Sequence, residues 1–138
     1  MSAPLRRWPS WPLLVFDLID SGRVERNLPP VSMGATYDAS VNPLPRYVVR
    51  VVDPQAGRLE ANVVVDIEAL ARTYSEAERL ASDVDDIFMG YPLSTSSGGR
   101  VVLVDRIEVL ASPAELNLEG ESKIRRFLAT YQLTVRRA

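Results

Sequence analysis

The chain has no cysteine and no histidine. The first absence removes disulfides and thiolate chemistry. The second removes the commonest general base near neutral pH and the commonest side-chain ligand for zinc, copper or non-haem iron. Charge of one sign is not in excess either: 16 basic and 18 acidic residues leave a net charge of −2. Tight, sequence-independent binding to nucleic acid needs a basic footprint, which this balance does not supply. No apolar run is long enough to span a bilayer. The longest candidate, residues 11–19, is short and broken by Asp17, and Pro9 and Pro12 interrupt the approach a secretory signal would need. The expected compartment is the cytoplasm.

What remains is ordinary for a globular protein. The chain has 138 residues, 46% of them hydrophobic and 25% charged. That length predicts one domain able to bury about two-thirds of its unfolded surface without staples. Seven of its ten prolines fall in the first 45 residues, which predicts an irregular N-terminal part over 1–45. Within it, Ser10 and Pro12 are suited to start a short helix that Gly22 would end. Residues 27–45 show no sustained period, and Val31–Thr36 is the candidate for a short edge strand.

Beyond residue 45 the patterns sharpen. Residues 46–52 are valine-rich and strand-like, and Asp53-Pro54-Gln55-Ala56-Gly57 carries turn chemistry. Leu59, Ala61, Val63, Val65, Ile67 and Ala69 then alternate with polar residues, the signature of a half-buried strand. A hairpin pairing Val52 with Glu60 places Tyr47, Val49 and Val51 opposite Val65, Val63 and Ala61, and Arg46 opposite Asp66. Ser75-Glu76-Ala77-Glu78 forms a capping box, with Thr73 and Glu76 offering the same pattern two residues earlier. Ala77, Leu80, Ala81, Val84, Ile87 and Phe88 make one apolar stripe at helical spacing, which Gly90 and Pro92 end. Residues 94–99 read as a flexible loop, 100–110 as a strand and 112–120 as a polar link. In the closing strand Phe127, Ala129, Tyr131, Leu133 and Val135 alternate with mainly polar residues. The expected fold is an α/β domain of α+β type. Its sheet is mixed, mainly antiparallel, of about four to five strands, covered by an N-terminal helix and a central helix near 75–89.

Candidate chemistry is thin. Asp66 and Glu68 share a strand face and suit a divalent ion or an acid–base pair, but no nucleophile converges on them, and a salt-bridged sheet with Arg46, Arg50, Arg126 and Arg136 is the plainer reading. Asp83, Asp85 and Asp86 lie late in the central helix, where negative charge is mildly unfavourable, so they invite either a basic partner or an Arg79–Asp83 pair along the helix. Ser97-Gly98-Gly99-Arg100 lacks the helix and lysine of a phosphate-binding loop. Trp8 and Trp11 suit either an interface or the end of a core.

The order of elements resembles that of the tail terminator (tail completion) proteins of long-tailed bacteriophages. The resemblance rests on PRYVVRV, NVVVDIEALART, the SEAERLASDVDDIF helix and the closing RFLATYQLTVRR, and is good over 46–138 and loose over 10–45. It implies a virion protein with no enzymatic step and no cofactor. Such a protein forms a homo-hexameric ring on the tail tube, ends polymerisation of the tube protein, and presents a surface to the head-side connector. Double-stranded DNA crosses the lumen without specific binding, for which a near-neutral charge is suitable. Interface residues expected on this reading are Val31, Met33, Tyr37, Asp85, Asp86, Ser96, Ser97, Gly98, Gly99, Arg100, Arg126 and Arg136. The alternatives are a neck or head-closure protein of the same joint and, from another class, a small enzyme using a metal held by Asp66 and Glu68.

Overall fold

The computed structural model describes residues 8–97, 99–116 and 123–137. Its elements, in chain order, are α1 (Trp11–Glu25), β1 (Ser32–Gly34), β2 (Arg46–Ala56), β3 (Glu60–Ala71), α2 (Tyr74–Phe88), β4 (Leu93–Ser97), β5 (Arg100–Glu115) and β6 (Arg125–Arg137). The strands form one six-stranded sheet in the order β1-β2-β3-β6-β5-β4. Only the β1–β2 pair is parallel; the other four are antiparallel. This is the α+β fold expected, with one or two strands more.

Both helices pack on one face of the sheet. Helix α2 lies over β3, β6 and β5, while α1 touches β2 near one margin and β4 at the other, so the sheet curls around α1. The inward residues of β3 and β6 alternate as expected: Val63, Val65 and Ile67 on β3, and Phe127, Tyr131, Leu133 and Val135 on β6, are all buried. The stripe on α2 meets them from above, with Phe88 and Tyr131 in edge-to-face contact at 4.9 Å between ring centres.

Several expectations are corrected. Helix α1 does not stop at Gly22. It runs to Glu25 and closes in a Schellman motif, with Asn27 left-handed at φ 55°, Leu28 N–H donating to Arg23 O and Asn27 N–H to Val24 O. Gly22 is buried instead, because a Cβ there would sit 2.5 Å from Ile87 Cγ2; the missing side chain lets the two helices approach. Helix α2 is capped by Thr73, whose hydroxyl accepts from Glu76 N–H, rather than by Ser75.

The β2–β3 hairpin is longer than expected. Tyr47, Val49 and Val51 face Ala69, Ile67 and Val65, four residues further along β3, and Arg50 rather than Arg46 lies opposite Asp66. The even offset keeps every inward residue inward, so the face pattern alone did not distinguish the two registers. A bulge at Val52 lets Asp53–Ala56 continue as strand, and the chain turns at Gly57–Glu60. Pro54 is tolerated there because β2 has no outer neighbour at that height among the described residues. Finally, residues 93–97 are strand β4 rather than a loop, and β5 continues through Ser112 to Glu115 rather than ending at Leu110.

Candidate functional site

The second face of the sheet, away from the helices, is paved with polar residues that bond across strands. Thr134 Oγ1 pairs with Asn62 Oδ1 at 3.1 Å, Thr130 Oγ1 donates to Asp66 Oδ1 at 2.6 Å, and Arg126 Nη1 donates to Glu68 Oε2 at 3.5 Å. Arg136 Nε lies 3.2 Å from Asp105 Oδ2. The first three pairs join β3 to β6 along one face, and Arg136 reaches Asp105 on β5; together they form a ladder. The two carboxylates considered for metal or acid–base chemistry are therefore both engaged: Asp66 by a hydroxyl, Glu68 by a guanidinium. Arg46 turns to the β1 side and donates to Thr36 O and Ser32 Oγ. Arg50 is exposed beside them, and with Tyr37, Val48, Glu68 and Arg126 it borders a hollow of about 520 Å³.

On the helix side, two acidic residues of α2, Asp83 and Asp85, are held by partners from other elements. Asp83 is paired with Arg23 of α1 at 3.1 Å, not with Arg79. Arg23 is 97% buried; it also donates to Pro29 O and Tyr47 Oη, and its guanidinium lies 5.9 Å from the centre of the Tyr47 ring. Tyr47 Oη in turn donates to Leu80 O. Burial raises the Tyr47 phenol well above its ordinary value, only partly offset by the nearby Arg23 charge. Tyr131 is raised too, by burial first and then by its hydrogen bond to Asp85 Oδ1 at 2.9 Å. Asp86 is exposed, and its carbonyl accepts from Arg26.

The expected interface residues do not converge on one spot. Val31 is buried in the core and Ser97 is 1% exposed, so neither offers its side chain to a partner. Met33 sits on β1 packed against the core, and Tyr37 borders the hollow on the second face. Ser96, Gly99 and Arg100 lie at the exposed β4–β5 corner, where Gly99 takes φ +76°, while Gly98 lies outside the described residues. Asp85 borders a shallow acidic hollow with Glu78, Asp86 and Phe127. Arg126 and Arg136 belong to the polar ladder.

Two features escaped the sequence reading, Arg23 and the sheet's margins, and a third, the Trp8–Trp11 pair, admits two readings there. Arg23 follows Ile19 by one helical turn on the buried side of α1, and a cation on an apolar stripe is a signal that an acidic partner waits elsewhere. Trp8 and Trp11 stack at 5.4 Å against the core; Trp8 Nε1 donates to Gly57 O, and Arg137 lies over its ring. Of the two readings for this pair, the structure supports the end of a core. At the sheet's margins, strand β1 covers three residues of the eleven in β2, and β4 covers five of the sixteen in β5.

No family model matches the chain, and no curated protein matches it. Twelve chains among solved structures do. One of them aligns over 88% of this chain and 90% of its own length, at 17% identity and a TM-score of 0.47. Agreement at that level says nothing about activity or partners. Among the described residues no helix is long and apolar enough to cross a membrane.

Proposed function

We propose that this protein is a tail terminator of a long-tailed bacteriophage: a structural subunit that closes into a ring on the tail tube, ends its polymerisation and joins it to the head-side connector. The observation that carries the reading is the sheet. Among the described residues its strands are long, its helices lie on one face only, its second face is a bonded polar ladder, and both margins are largely uncovered. A subunit of a closed ring needs two different surfaces that meet around a circle, and the two margins are different strands. The polar face, with each carboxylate of the ladder countered by a hydroxyl or a guanidinium, suits a lumen wall along which DNA slides without adhering. Termination is then steric: the ring occupies the tube end and offers no equivalent surface beyond.

Imaging and light scattering test this. Purified protein mixed with tube protein is expected to give capped tubes of limited length, and a free or docked ring of about six times the 15.3 kDa chain. A chain that stays at its single mass and leaves tube growth unchanged sinks the proposal.

A further inference from the structure

We infer that copies of this chain join by strand addition at a same-height seam, with the bare stretch of β2 in one copy pairing antiparallel with the bare stretch of β5 in the next. The inference deepens the ring reading and rests on it.

Residues of β6 serve as markers, since β6 runs through the centre of the sheet. On the β2 side, β1 covers Arg46–Val48, which lie in the rows of Arg126 to Leu128. The bare part of β2 then runs from Val49, in the row of Ala129, to Ala56, in the row of Val135. On the opposite margin β4 covers Arg100–Val104, in the row of Val135 and outward. The bare part of β5 runs from Asp105 to Glu115, and from Arg106, in the row of Thr134, to Glu115, in the row of Phe127. Between the rows of Ala129 and Thr134 both margins are therefore uncovered among the described residues. That common window is about 20 Å of strand at the usual rise per residue.

Three properties make a second copy the fitting occupant. First, direction: β2 and β6 run one way, β3 and β5 the other, so placing one copy beside the next in the same orientation sets β2 antiparallel to β5 without any flip. Second, clearance: β1 and β4 lie at opposite ends of the window, so the two covers do not meet each other, and the neighbour's β5 carries its bulges between Val109 and Ala114, where its last residues must bend clear of β1. Third, unlike edges: β2 and β5 are different strands, so the contact is head-to-tail and propagates around a circle. Apolar side chains already stand at this seam. Val52 is 57% exposed and Leu110 is 50% exposed, each at a bulge and in neighbouring rows. The bulges, with Pro54 and Pro113, make each run a poor template for unlimited sheet growth, which confines pairing to a short fixed register.

Cross-linking tests the seam, because the chain has no cysteine to interfere. Within one copy β2 and β5 are three strand spacings apart, about 14 Å, too far for a disulfide. A double variant carrying Val52→Cys and Leu110→Cys, or Val51→Cys and Val109→Cys, therefore oxidises only between copies. The expected result is a ladder from dimer to hexamer in denaturing gels for at least one pair. A control carrying Val52→Cys and Val101→Cys is expected to give none, since Val101 lies under β4. Rings seen by light scattering without a ladder from either pair overturn the seam and leave the ring reading standing. A ladder equally strong in the control overturns the seam as well. Neither rings nor ladder, with tube growth unchanged, removes both.

Discussion

The centre of the sheet and its β4 corner are built on opposite principles. Strands β3 and β6 bury valine, isoleucine, leucine, tyrosine and phenylalanine inward and bond polar residues to one another outward, so each side of each strand has a partner. Strand β4, five residues long, turns Thr95 and Ser97 inward, and the Ser97 hydroxyl is buried with no hydrogen-bond partner among the described residues. A buried polar group left unmade costs about 1–3 kcal/mol, so the corner is held weakly where the centre is held firmly. The lesson is that the fold resides in the middle of this sheet, whereas the surfaces available to partners lie at margins that are short, polar or bare.

Four measurements test that contrast. The largest effect is expected at the centre: Leu133→Ala removes a fully buried side chain between β3 and β5 and should cost about 2–5 kcal/mol, read as a lower urea midpoint. A loss below 1 kcal/mol would erase the distinction between centre and margin.

Next is the helix contact. Gly22→Ala pushes a methyl into Ile87 and should destabilise by about 1–3 kcal/mol. Combined with Ile87→Ala, which removes both γ carbons nearest the added methyl, it should cost less than the sum of the two single changes, and strictly additive effects would show that the two residues do not share the space.

The pH dependence comes third. The folded-state values of Tyr47 and Tyr131 are raised above the ordinary phenol value near 10. A phenol raised in the folded state contributes stability that is whole below the unfolded value and is lost as pH climbs from there through the folded value. Denaturant midpoints should therefore hold between pH 7 and about pH 9 and fall by pH 11. Tyr131→Phe should flatten part of that fall, and an unchanged profile would place the alkaline sensitivity elsewhere.

The smallest effect is expected at the corner. Ser97→Ala deletes the orphan hydroxyl and should leave stability unchanged or raise it by up to about 1 kcal/mol. A clear loss would mean that the hydroxyl has a partner and that β4 is as firmly held as β6.

Much of the fold was legible in residue order. The alternation in Ala61–Ala69 and Phe127–Val135 and the stripe from Ala77 to Phe88 each follow from a local period, so one chain segment is enough to reveal them; Leu59, expected inward with the first set, precedes β3 and is exposed. The β4 segment was misread because serine and glycine favour loops, and only pairing with the apolar β5 makes Leu93–Ser97 a strand. The candidate site was less legible still. The length of the β2–β3 hairpin, the Arg23–Asp83 pair and the uncovered margins all join residues distant in the chain.

The amino-acid order by itself determined which residues point inward, where the second helix lies and that histidine and cysteine chemistry is absent. Only the tertiary structure decided the register of the strands, which margin each short strand covers, and where the two bare stretches stand at equal height. The physical reason is that inward and outward follow from a two- or four-residue repeat, whereas register and margin depend on bulges, glycine packing and long-range pairing that no local repeat encodes.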